Sequence, residues 1–259
     1  MSVLVGEVPP DWYAHAFTAC AAMLPWADDT EGDVERLLQI LEPPPESRIL
    51  DLACGSGSHA FELARCGFGV VGVDISEDLL GIAAAVASDK DLTDPLDLAF
   101  LDSDLRDLRY EAEFDFVVNL HGGAVGYFEN EAENRRTFET ISRSLRPGGR
   151  TLMQIPNVLH VESRPQARTW TAGEWAIELR ERRWNSEDRY VEGSVVAIVL
   201  DDPARLCPVP FRQRLYSVPE LFELFASVGM SLEAVLDAAA LPCTPTAEQE
   251  EIFVVARRD

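Results

Sequence analysis

Asp51-Leu52-Ala53-Cys54-Gly55-Ser56-Gly57 is the stretch of this 259-residue chain in which residue type and spacing promise the most chemistry. An apolar run from Arg48 ends in a carboxylate and enters a glycine turn that opens a helix. Without Cβ atoms, Gly55 and Gly57 let a ligand come up against the backbone. The helix start behind them offers unpaired N–H groups and the positive end of a dipole. Asp74 closes a second apolar run, VVGVD, where a carboxylate can accept hydrogen bonds from both hydroxyls of a ribose. The pattern Gly55-x-Gly57-x-x-Ala60 also fits dinucleotide binding, and glycines alone do not choose between ligands. Asp51 favours an amino-acid ammonium group, because a nicotinamide dinucleotide has no cation to place at the end of that first strand. A nicotinamide-dependent oxidoreductase stays as the rival reading, separable by NAD(P)(H) binding.

The elements that must position these residues follow from periodicity. From Arg48 the chain alternates RILDLA, a helix to Gly67, VVGVD, a helix after Ser76, LDLAFL, DFVVNL, a helix from Glu131, and RTLMQI. Repeated strand–helix units predict a parallel, doubly wound α/β sheet. Thr30 to Leu41 carries Val34, Leu37, Leu38 and Leu41 on one face, with Thr30 and Asp33 in capping-box spacing and Pro43 to Pro45 beyond. Asn130 with Glu133, and Ser217 with Glu220, mark two further helix starts. After Ile155 the rhythm changes to WAIELRER, YVEGSVVAIVL and FRQRLY without helices between, an antiparallel excursion. SLEAVL and IFVVAR close the sheet, with Leu241 to Thr246 as a loop between them. The expected organisation is a helical cover over 1–45, a cofactor-binding core over 46–156, a β insertion over 157–216 and completion of the core sheet over 217–259.

Composition narrows the partners. A formal net charge of −23 repels phosphate backbones, so no nucleic acid is expected as a substrate. No apolar run is long enough to span a membrane, and the N-terminus lacks an export signal, so a cytoplasmic protein with no membrane partner is expected. The five cysteines show no C-x-x-C pair and read as reduced thiols. A single lysine, Lys90, accompanies 21 arginines, which fits a GC-rich genome or adaptation to high salt.

DLACGSGSH, VGVDIS, DSDLRDL, FDFVVNLHG and LRPGGRTLM, in this order, resemble the successive motifs of the class I S-adenosylmethionine-dependent methyltransferases over residues 48 to 156. RLYSVPELFELFASVGM and the two last strands resemble the C-terminal part of that family's small-molecule members, which carry a β insertion after the fifth strand. The resemblance implies a seven-stranded Rossmann-like sheet and S-adenosyl-L-methionine as cofactor, with S-adenosyl-L-homocysteine as product. It implies an acceptor that is a small metabolite, of the kind found in natural-product biosynthesis, methylated on O or N. By the same resemblance Asp51, Ala53, Gly55 and Gly57 would hold the methionine part, Asp74 the ribose, and Asp104 the adenine amine. Ile75 and Leu105 would flank the adenine, and Asn119, Leu120 and His121 would lie near the transferring methyl. Asp102 is the alternative partner of the adenine if the third strand ends earlier.

His121 is the first candidate for a substrate-facing base, against a purely structural role beside Gly122 and Gly123. Tyr13, His15, Tyr127, His160 and Trp170 are candidates for the acceptor pocket, each with a packing or surface reading of equal weight. Trp12 and Trp26 are expected to pack. His59, at the start of the glycine-loop helix, lies near the cofactor carboxylate or caps the turn. No metal is expected, because Asp28, Asp29 and the Asp201–Asp202 pair make no oxygen cage. A methyltransferase-like scaffold without transfer chemistry, or a cyclase, is the remaining alternative. The oligomeric state stays open, a homodimer among the options.

Overall fold

A computed structural model describes residues 8–17, 29–89, 97–202 and 206–259. Trp26, Asp28 and Lys90 lie outside the described residues. The first five strands are β1 (Arg48–Leu52), β2 (Gly69–Asp74), β3 (Leu98–Asp102), β4 (Phe114–Asn119) and β5 (Leu145–Pro156). Four more follow as β6 (Gln166–Ala172), β7 (Ala176–Asn185), β8 (Tyr190–Val199) and β9 (Leu206–Arg214), and the last two are β10 (Met230–Leu236) and β11 (Glu251–Arg258). The helices are α1 (Tyr13–Ala16), α2 (Thr30–Leu41), α3 (Ser58–Arg65), α4 (Glu77–Asp89), α5 (Glu131–Ser144), α6 (Val158–Ser163) and α7 (Val218–Ser227).

The seven-stranded sheet runs β10-β11-β5-β4-β1-β2-β3. β5, β4, β1, β2 and β3 pair in parallel, and β11 joins antiparallel to both β5 and β10. The order reverses between β1 and β4, so the connections leaving those strands diverge and open a crevice at their C-terminal ends. α2 and α3 cover one face, where Val34, Leu37, Leu41 and Leu63 meet Ile49, Val118 and Leu152. α5 and α7 cover the other, where Phe138, Ile141, Leu221 and Phe225 meet Val117, Met153 and Val254. These buried stripes supply the main drive for docking the helices.

Helix starts fall where short polar side chains can take up free N–H groups. Asn130 Oδ1 accepts from Glu133 N at 3.0 Å, and Ser217 with Glu220 forms a reciprocal capping box with Pro219 in the first turn. At α2 the cap is one residue earlier than the sequence spacing suggests: Asp29 accepts from Gly32 N, and Thr30 is the first helical residue. Asp33 therefore does not serve as part of a cap.

The insertion is a separate antiparallel meander, β6-β7-β8-β9. β6 was not anticipated, because nearly every residue of QARTWTA is exposed and so carries no alternating burial signal. α1 seats Trp12 and Ala16 against Ala176, Val195, Ala197, Val199 and Val209 of this sheet. A polar seam ties the insertion to the loop after β4. Gln213 Nε2 donates to the carbonyls of Gly122 and Val125, and Arg214 N donates to Gly126 O at 2.7 Å.

Candidate active site

At the crevice the backbone takes conformations that ordinary residues avoid. Ala53 (φ 58°), Gly55 (φ 56°) and Gly57 (φ 75°) are all left-handed, which folds the end of β1 back over the start of α3. A Cβ on Gly57 would come within 2.6 Å of the Phe100 ring and 2.9 Å of Ala83. Gly57 therefore permits close packing of α3 and does not itself line the cavity. A Cβ on Gly55 would touch only Leu79, at 3.9 Å, so the loop stays open toward the space it borders.

That space is a cavity of about 280 Å³. Asp51, Ala53, Gly55, Asp74, Ile75, Asp104, Leu105, Leu120 and His121 all border it. Asn119 does not. Its buried amide instead donates to Leu52 O at 2.7 Å and holds the ends of β4 and β1 together.

Of the four carboxylates that border the cavity, Asp51, Asp74 and Asp104 are in different states, and Glu251 is the fourth. Asp51 is buried, and burial pushes its carboxyl up to about 6, against the pull of His59 and His121 and with a further push from Asp74. Its Oδ2 is buried without a hydrogen-bond partner, so a cation arriving there would meet an uncompensated acceptor. Asp74 Oδ2 accepts from Gly55 N at 2.8 Å and Oδ1 from Ser76 N at 2.9 Å. Burial raises its carboxyl, and these backbone donors offset part of the rise. Asp104 is clasped by Arg106, whose backbone N and guanidinium reach both carboxylate oxygens at 2.6–3.1 Å. Burial would raise this carboxyl, and the Arg106 contacts hold it below the ordinary range. The expected acceptor for the adenine amine is thus already engaged, while Ser103 beside it borders the same wall. Asp102 pairs with Asp74 across the sheet but is exposed and off the cavity.

His121 takes a left-handed conformation (φ 55°), with its N–H donating to Gln154 Oε1 at 3.2 Å. Its ring does not stand alone. His121 Nε2 lies 3.2 Å from Asp33 Oδ2, and His59 Nε2 lies 3.4 Å from the same oxygen. Burial works against ionisation of Asp33, and the two imidazoles more than offset it, holding its carboxyl well below the usual range. No local pattern points to this cluster, because residues 33, 59 and 121 meet only when α2 packs on α3 beneath the loop after β4. Both Asp33, expected in a cap, and His59, expected beside the cofactor carboxylate or capping the turn, take this other role.

The opposite wall comes from the insertion and α1. Arg180, Val195, Val209, Phe211 and Gln213 face the cavity together with Trp12, Tyr13, Phe17, Tyr127 and Phe128. Tyr127 packs on Trp12 (centroids 4.7 Å apart), and burial raises its hydroxyl to about 12, so it stays protonated at neutral pH. Of the five acceptor-pocket candidates, Tyr13 and Tyr127 border the cavity. The other three do not. His15 lies on the outer side of α1, its side chain 77% exposed and 3.6 Å from Asp11. His160 is buried in α6 with Nδ1 3.0 Å from Ala247 O, a packing role. Trp170 stands on β6 and is 70% exposed, pointing away from the core.

Comparison with known proteins agrees with this geometry. Residues 49–149 match the family described as "Methyltransferase domain". A candidate methyltransferase of Geobacillus sp. (strain WCH70) is 32% identical over 238 residues, 89% of this chain and 92% of that protein. The CcbJ methyltransferase of Streptomyces caelestis superposes with a TM-score of 0.77 at 16% identity, covering 96% of this chain and 99% of that one. The sugar N-methyltransferase KedS8 of Streptoalloteichus sp. gives 0.66 at 20% identity, with 100% and 99% covered. The chain belongs to the class I S-adenosylmethionine-dependent methyltransferases, and it is an enzyme of that activity. Its crevice fits the cofactor on this structure's own terms: an orphaned acidic oxygen for an ammonium group, an open glycine turn, and a buried carboxylate at the end of β2. Among the described residues no helix is long and apolar enough to cross a membrane.

Proposed function

We propose that the enzyme methylates a nitrogen or oxygen atom of a small metabolite held between the cofactor crevice and the inner face of the insertion. One observation carries this reading: a single cavity is bordered on one side by the Asp51–Gly55 turn and on the other by Arg180, Val195, Val209 and Phe211 of the meander. About 280 Å³ is the scale of a small-molecule site. The overall likeness to a sugar N-methyltransferase supports the same class of acceptor. In this reading segments 1–45 and 157–216 form the acceptor pocket, and 217–259 completes the sheet that carries the cofactor.

S-adenosylmethionine supplies a methyl group on a sulfonium centre, an electrophile that needs no covalent help from the protein. Asp51 would hold its ammonium group, with Ala53 and Gly55 along the methionine part. Asp74 would take the ribose, and Ile75 and Leu105 would flank the base. What the protein adds is positioning and exclusion of water, which can supply about 7–11 kcal/mol of barrier reduction. The aromatic wall of Trp12, Tyr13, Tyr127 and Phe128 does the excluding. His121 borders the cavity and would take the proton of a hydroxyl acceptor, whereas an amine must arrive neutral.

Methyl-labelled S-adenosylmethionine, offered with panels of small amines, phenols and sugars beside tRNA and protein, tests the substrate class. A small product carrying the labelled methyl on N or O is the expected result; label found only in macromolecules or on carbon would sink the proposal. His121→Ala should then lower turnover on a hydroxyl acceptor by about 10²–10⁴-fold while calorimetry finds cofactor affinity kept. Unchanged turnover across pH would return His121 to a structural role.

A further inference from the structure

We infer that Asp33, His59 and His121 form a three-ligand site for a divalent transition-metal ion, Zn²⁺ fitting best, at the edge of the cavity. The three ligand atoms, one carboxylate oxygen and two imidazole nitrogens, lie within 4.8 Å of one another. Two imidazoles and a carboxylate are the donor set that borderline transition metals prefer over Mg²⁺ or Ca²⁺. Ligands about 2.0–2.1 Å from a tetrahedral Zn²⁺ stand about 3.3 Å apart, and the two nitrogens lie 3.2 and 3.4 Å from Asp33 Oδ2.

The orientation of His121 adds a second argument. Its Nε2 is shielded from solvent and makes no hydrogen bond, although Asp33 Oδ2 is only 3.2 Å away. The supporting shell is also in place. Arg36 NH1 donates to Asp33 Oδ1 at 2.9 Å, which leaves Oδ2 to face both rings, and Gln154 fixes the His121 backbone. His59 and His121 border the cavity; with its Nε2 on the metal, His121 would be a ligand and not the proton acceptor for a hydroxyl substrate. The expectation of no metal rests on oxygen clusters; this set is mostly nitrogen and is drawn from three distant segments.

The inference does not depend on which molecule is methylated, because its readout is the metal. Zn²⁺ titrated calorimetrically into chelator-treated full-length protein should bind at one equivalent per chain. Co²⁺ in its place should show the visible bands of a four-coordinate ion. Asp33→Asn, His59→Ala and His121→Ala should each weaken Zn²⁺ by about a hundredfold or more and remove the Co²⁺ bands. Circular dichroism melts confirm that each variant folds, and Arg36→Ala should weaken Zn²⁺ by about 10–100-fold. His15→Ala should bind as the parent does. No saturable Zn²⁺ binding by the parent protein, or equal binding by folded Asp33→Asn and His59→Ala proteins, would overturn the assignment. In that case the three side chains are a hydrogen-bonded cluster only. A separate titration with S-adenosylmethionine shows whether the cofactor crevice is intact, so failure of the metal site is distinguishable from failure of the enzyme.

Discussion

The two walls of the cavity are built in opposite ways. The cofactor wall is made of loop backbone at the ends of parallel strands, with Asp51 and Asp74 fixed by neighbours on β1, β2 and the turn between them and α3. The wall proposed to meet the acceptor is made of side chains from α1, the loop after β4 and three antiparallel strands, joined to the core through the Gln213 and Arg214 seam. The first wall is local and rigid. The second is assembled from segments more than 100 residues apart, as when Trp12 meets Val195 and Val209. Such a division lets the acceptor-facing surface vary without disturbing the cofactor loop.

The largest expected effect breaks the local wall. Asp74→Ala leaves the part-buried N–H groups of Gly55 and Ser76 without their acceptor and removes the proposed ribose contact. At about 1–3 kcal/mol for each unsatisfied buried group, affinity for S-adenosylmethionine should fall about a hundredfold or more by calorimetry. An affinity within a few-fold of the parent would mean that the turn does not depend on this carboxylate.

Gly126→Ala attacks the join between the walls. Gly126 is left-handed (φ 79°), and a Cβ there would lie 2.0 Å from the Arg214 carbonyl oxygen. The backbone of β9 must move, at a cost of about 3 kcal/mol, read as a lower urea midpoint. Acceptor turnover should suffer more than cofactor affinity. Equal losses in both would show that the two walls are one unit.

This contrast also explains what could be read in the chain and what could not. Asp51, Gly55, Asp74 and the helix starts at Asn130 and Ser217 are written within a few residues of one another, so spacing alone exposed the parallel sheet and its cofactor loop. Strand β6 escaped because its exposed residues show no period, and His160 misled because the carbonyl that engages it comes from Ala247, far along the chain. Asp33 was read as part of a cap. Its actual neighbours, His59 and His121, are fixed by packing of α2 on α3, which no local pattern reports.

A smaller effect should come from Glu220, which sits where the insertion returns to the core. Burial would raise its carboxyl, but hydrogen bonds from Ser217 and Arg214 more than offset that and hold it at about 2. Because the folded value is depressed, its contribution is fully present above about pH 4.5 and is lost as pH falls toward 2. Discounted for partial exposure, that contribution is on the order of 1 kcal/mol. Denaturation of Glu220→Gln and the parent should differ at pH 6 and converge near pH 2; a difference that grows on acidification would reverse the assignment.

The smallest effect is expected at Trp170, and it sharpens the comparison most cheaply. Its ring stands on β6 at the edge of the meander, 70% exposed, while the inner faces of β7, β8 and β9 supply Arg180, Val195 and Phe211 to the cavity. If the acceptor meets only that inner face, Trp170→Ala removes no contact with it and little buried area. Stability should then stay within about 0.5 kcal/mol of the parent, and turnover and acceptor KM should be unchanged. A raised KM with unchanged kcat would mean that the outer face of the insertion takes part in binding, and the division between an inner, acceptor-facing surface and an inert outer one would have to be given up.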